Sequence, residues 1–151
     1  MGIINMIQTM KLVHKLDIIL VKIGNFYQVY GKDAYIISYL FGYKLKKVEN
    51  TKMCGFPLSS VNKIIATLED KKINYLIIDR RNNYEVEERL DNKNLNNYTK
   101  CFEKAKKYIS YKTRIDNVNN FLLENINKAD FKDIIRKMED VINERGKISS
   151  Y

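Results

Sequence analysis

Ile3, Ile7, Met10 and His14 stand at helical spacing, with Met6 and Val13 on the same broad face, which predicts a short amphipathic helix over residues 3–14. A β-branched run follows at 17–23, closed by the turn pair Gly24-Asn25, and Phe26-Tyr27-Gln28-Val29-Tyr30 resumes as an aromatic strand. The two predict a tight hairpin. After Gly31, the stripe Ile36, Ile37, Leu40 and Phe41 predicts a helix that Gly42 can end. Residues 43–48 then alternate, with Lys44 and Lys46 on one face and Tyr43, Leu45 and Lys47 on the other, which predicts a half-exposed strand. A turn at Glu49-Asn50 leads into 51–56. Pro57 follows, then Ser59 or Ser60 as N-cap for a helix bearing Val61, Ile64, Ile65 and Leu68, and 73–78 as a buried strand.

Strands and helices thus alternate to about residue 86, which predicts an α/β domain with a mixed sheet of five or six strands flanked by helices. Beyond Asp91 the texture changes. Asn92, Asn94, Asn96 and Asn97 make a polar linker, and the remainder carries helical stripes. Phe102, Ala105 and Ile109 form one stripe, continued after an expected turn by Ile115, Val118, Leu122 and Ile126. Phe131, Ile134, Ile135, Met138, Val141 and Ile142 form a last one that stops at Gly146. The expected organisation is an α/β domain over 1–91 and a C-terminal helical hairpin extension over 92–151, packed on the domain or mediating dimerisation.

With 151 residues, 45% apolar and 30% charged, the chain is long enough for a sizeable core and too apolar for wholesale disorder. Lys and Arg number 27 against 18 acids, a net charge of +9. The excess is 21 Lys beside 6 Arg, in company with 20 Ile and 17 Asn, residue types that share A/T-rich codons. The charge therefore permits nucleic-acid binding without establishing it. Two distant cysteines, Cys54 and Cys101, and the single His14 offer no zinc spacing. No cofactor or metal is expected, and a reduced cytoplasmic location without membrane attachment is the expectation.

Enzymatic motifs do not assemble. The glycines at 2, 24, 31, 42, 55 and 146 cannot form a phosphate loop. Asp79 has no acid followed two places on by lysine, as a metal-dependent nuclease site requires, and Asp70-Lys71-Lys72 lies at a helix end. A Cys54/His14 dyad is formally available, but Cys54 in an apolar strand is ordinary packing material. A non-enzyme is expected.

Three blocks are more specific. The run from His14 to Ala34, containing Gly24-Asn25-Phe26-Tyr27-Gln28, resembles the opening of the MutS mismatch-repair proteins, where an apolar strand leads into Gly-Asp-Phe-Tyr-Glu. Met53-Cys54-Gly55-Phe56-Pro57 is similar to that family's Met-Cys-Gly-[small apolar]-Pro segment, and 73–78 to the strand after the following helix. The blocks occur in family order over roughly residues 6–80. The resemblance implies the family's N-terminal mismatch-recognition domain, standing without connector, lever, clamp or ATPase. It also implies roles: Phe26 as an aromatic wedge in the minor groove, Gln28 at the position that hydrogen-bonds the displaced base, and Lys47 as a phosphate contact. Gln28 stands where the family has glutamate, and Asn25 where it has aspartate.

Two functions follow as expectations. One is a DNA-binding module for mismatched or distorted duplex, using Phe26 and Gln28 with Lys44, Lys46, Lys47, Arg80 and Arg81. The other is an assembly module that keeps the fold and pairs with itself or a protein partner through the C-terminal helices. Gathering of Lys22, Lys44, Lys46, Lys47, Arg80 and Arg81 around Phe26 would favour the first, and their scattering the second.

Overall fold

The computed structural model describes residues 2–92, 94 and 96–146, so linker positions 93 and 95 and the end of the extension from 147 lie outside it. It comprises α1 (Ile3–Val13), β1 (Ile18–Ile23), β2 (Phe26–Tyr30), α2 (Gly31–Phe41), β3 (Lys46–Val48), β4 (Thr51–Pro57), α3 (Val61–Asp70), β5 (Tyr75–Asp79), β6 (Glu85–Leu90), α4 (Tyr98–Glu124) and α5 (Phe131–Asn143). The six strands form one mixed sheet in the order β3-β4-β2-β1-β5-β6. Only the β1–β5 pair runs parallel, and the other pairs are antiparallel.

Period-2 alternation sorts the strand residues onto two faces. Ile18, Leu20, Tyr27, Val29, Cys54, Phe56, Tyr75 and Ile77 form a core with α2, α3 and the start of α4. Ile19, Val21, Tyr30, Leu76 and Ile78 face the other way, onto Ile7 of α1. A single helix therefore covers one face and several cover the other. Asp33, 1% exposed, ties these layers together. Its carboxylate accepts from Lys11 Nζ on α1 at 2.8 Å, from the Ile19 backbone N–H on β1 at 3.0 Å, and from the Tyr98 hydroxyl on α4.

The boundaries differ from the sequence expectations at identifiable places. Only 46–48 of the expected strand 43–48 pairs, because Tyr43 stacks on Phe56 with ring centroids 5.5 Å apart and Leu45 joins the same core, holding the lead-in off the ladder. Neither serine caps α3 by its side chain: Leu58–Ser60 form a 3-10 turn, and Ser60 makes no cap bond. Strand β6, Glu85-Val-Glu-Glu-Arg-Leu90, carries too little apolar pattern to stand out in sequence, and its charge suits an edge position. Gly42 does end α2, at φ +78°, in the left-handed region where glycine is strain-free.

Helix α4 is continuous through the turn expected between Ile109 and Ile115. The polar linker before it is stitched down by amide side chains. Asn74 bonds the Asn92 backbone in both directions, Asn97 Nδ2 donates to Lys71 O, and Asn96 both reaches Leu16 O and accepts from Tyr98 N–H. Tyr98, Cys101 and Ala105 are consequently buried in the α/β core. The chain forms two compact units, residues 1–109 and 110–151, so the division falls within α4 and beyond the change of texture at Asp91. In the second unit Leu122, Phe131, Ile134, Ile135 and Met138 are half-buried, while Tyr111, Ile115, Val118 and Phe121 are exposed.

Candidate nucleic-acid interface

The β1–β2 hairpin is built to hold one aromatic side chain out of the core. Ile23 pairs with Phe26 across the two-residue turn, and Phe26 pairs with Pro57 of β4 on its other side. Gly24 takes φ +59° at the tip, a conformation that a β-branched residue such as its neighbour Ile23 would resist. The Leu58 backbone N–H donates to Asn25 O at 3.2 Å, which fastens the tip to the end of β4. Tyr27 turns inward and stacks on Phe56 at 5.5 Å. Phe26, one residue earlier, points to the α1 face and remains 55% exposed.

Gln28 shares that face and is half-buried. Its Oε1 accepts from the Tyr30 hydroxyl, two residues on along the same strand. Burial pushes the Tyr30 phenol up from its ordinary pKa, and the charge of Arg80 works in the opposite direction, so Tyr30 is a donor at neutral pH and Arg80 is its electrostatic neighbour. Gly55 is in register opposite Gln28, and a Cβ there would come within 3.3 Å of Tyr27 O. The missing side chain leaves the sheet open beside Gln28. Phe26, Gln28 and Gly55 therefore form an uncovered strip of the face that α1 covers elsewhere.

The cations divide. Lys46 is in register with Met53, which packs in the α1-face cluster, so Lys46 shares the Phe26 face. Four residues and two strand spacings separate it from Phe26, roughly 13 Å along and about 10 Å across. Exposed Lys44 lies between Tyr43 and Leu45, which both turn to the opposite core. Arg80 and Arg81 form a 3-10 turn directly after β5, at the Phe26 end of the sheet and on its other flank. Lys47 falls on the opposite face, directly across from Lys52, and Lys22 pairs with the inward-facing Tyr27. Lys46 thus shares the Phe26 face and Arg80 and Arg81 stand at that end of the sheet, whereas Lys22 and Lys47 lie on the opposite face.

The opposite face at this end carries both signs, with Lys22 directly across from Tyr27. Glu87, Glu88 and Asp79 all add to the burial that raises the Tyr27 phenol. The role of Tyr30 as partner of Gln28 was not recognised from sequence, although the i, i+2 spacing on a strand is its signal.

Other chemistry is weakly supported. Burial pushes the Cys54 thiol up to about 12, and Cys54 Sγ sits 3.7 Å from Ala34 O, so it is not a thiolate nucleophile at neutral pH. Among the described residues no group of His, Cys, Asp and Glu could hold a metal ion. No described helix is long and apolar enough to cross a membrane.

Comparison with curated proteins finds no match. The family model of MutS domain I matches residues 1–111, which takes in the whole sheet, the Phe26 hairpin and the stitched start of α4. A mixed sheet with flanking helices, an exposed Phe at the tip of its first hairpin and the match over most of the chain agree: the chain belongs to the MutS domain I family.

Proposed function

We propose that the protein is a non-enzymatic DNA-binding module that engages mismatched or otherwise distorted duplex through the Phe26 strip. The observation that carries this reading is the exposure of Phe26, 55%, on a hairpin pinned from both sides. An aromatic held rigidly outside the core is available to enter a weakened base step, whereas a core aromatic would not be. Gln28 supplies a polar group on the same face, Lys46 a cation on that face toward the β3 edge, and Arg80 and Arg81 cations at the end of β5, with Lys44 assigned to the same contact. Lys47 belongs to this reading only if the DNA reaches around the β3 edge of the sheet.

Affinity in this reading is electrostatic first. Binding to homoduplex should fall steeply between low and physiological salt, as neutralised phosphates release counterions. A titration with fluorescent duplex at two salt concentrations measures it. A flat response rules out contact dominated by lysine and arginine.

A second reading has its own observation in residues 110–146. Ile115, Val118, Phe121, Leu123 and Ile126 are each about half exposed or more, and α5 sets Ile134, Ile135 and Met138 on one half-buried side. Such stripes suit pairing with a second copy or a protein partner. Ile135→Asp is expected to lower the melting temperature or convert a dimer to monomer. Light scattering and melting curves identical to wild type would remove the support for this reading.

A further inference from the structure

We infer that the end of the sheet away from Phe26 carries a trough for a small organic anion with an apolar body. Two clefts adjoin there, of about 520 and 290 Å³, sharing Gly31, Lys32 and Thr51 along their common border. The larger sets apolar side chains, Ile4, Ile7, Leu16 and Phe102 of α4, beside polar ones that include Lys15 and the Glu103 carboxylate. Its volume and character are those of small-molecule sites, in which an apolar enclosure is joined to a few oriented polar groups.

The smaller cleft supplies those groups. Lys47 and Lys52 face each other directly across the β3–β4 ladder, and both line it together with Lys32. Like charges directly opposed across a strand pair destabilise it. Among the described residues neither lysine has a carboxylate ion-pair partner within 4.0 Å. An anion held between them offsets that repulsion. Lys32 Nζ sits 5.1 Å from the Phe102 ring centroid, at the junction of the two compartments, and so can meet the anionic group where the apolar body begins. Lys11, although it borders the larger cleft, is engaged by Asp33 and the Asp17 carbonyl and is not assigned to the ligand. A DNA backbone offers phosphates but nothing apolar to fill the larger compartment, which is why the trough is assigned to a small amphipathic anion and not to duplex.

The test is a titration of the full chain with anilinonaphthalene sulfonate, an anionic aromatic probe, followed by fluorescence and by nitrogen-15 amide spectra. One saturable site is expected, with shifts at Lys32, Thr51 and residues 98–102, and displacement by decanoate but not by a short DNA duplex. The exposed double variant Lys47→Glu, Lys52→Glu should weaken the probe at least about fivefold while leaving uncharged phenylnaphthylamine unaffected. Shifts confined to residues 110–146, or equal losses for both probes, would overturn the assignment. Displacement by duplex would overturn it as well and give these lysines to nucleic acid.

Discussion

Replacing Asp33 by alanine should lower the stability of the fold by about 3 to 5 kcal/mol, the range for removing one partner from a buried charge pair. Asp33 is 1% exposed and Lys11 is only 23% exposed, so water cannot fully take over for the missing carboxylate. The loss would strand the Ile19 N–H and the Tyr98 hydroxyl and leave the Lys11 ammonium with only the Asp17 carbonyl. Desolvation pushes the Asp33 carboxyl up from its ordinary pKa, and Lys11, Tyr98 and the Ile19 N–H pull it back; the partners are what make the buried acid tolerable. Urea denaturation measures the effect. A loss below about 1 kcal/mol would show that the three donors find other partners. Asp33→Asn, which keeps an acceptor for Ile19, should lie between the two.

That network also shows what a reading of the sequence can and cannot reach. Strong periodicity carries its own direction, so the β1–β2 hairpin and the α2 stripe ending at Gly42 were legible from Ile18 to Phe41. The resemblance implied an outward aromatic at Phe26, and the structure shows Phe26 exposed and its neighbour Tyr27, which no sequence signal placed, buried. Contacts distant in sequence left no such trace. Asp33 and Tyr98 are 65 residues apart in sequence, and nothing local distinguishes Asp33 from a first-turn acid serving the helix dipole. The asparagines before α4 had the composition of a loose linker, yet the side chains of Asn92, Asn96 and Asn97 each meet a backbone partner as the segment closes the α/β core. Lys47 illustrates the same limit at the candidate site. Its alternation with Lys44 and Lys46 was visible in sequence, but which face Phe26 occupies depends on the pairing of β2 with β4 and of β4 with β3.

Phe26→Ala should abolish any preference for mismatched or bulged DNA over homoduplex while leaving the salt-dependent background largely intact. Stacking of an aromatic on a base is worth about 1 to 3 kcal/mol, or about 5- to 150-fold in the affinity ratio, whereas lysine and arginine contacts to phosphate act on every sequence alike. Because Phe26 is 55% exposed and the hairpin is held by backbone pairing on both sides, the variant is expected to fold, so a loss of preference reports on DNA. Gln28→Glu restores the carboxylate of the family motif. The Tyr30 hydroxyl can still donate to it, and Arg80 lies near that hydroxyl, which keeps the new charge tethered on the strip. A carboxylate repels phosphates generally but accepts a hydrogen bond from a displaced base, so background affinity should fall while the mismatch-to-homoduplex ratio rises. Competition titrations with matched, mismatched and bulged duplexes at one salt concentration read both effects. If Phe26→Ala folds and binds every duplex as wild type does, the exposed ring does not read DNA, and the apolar stripes of residues 110–146 become the better guide to what this protein does.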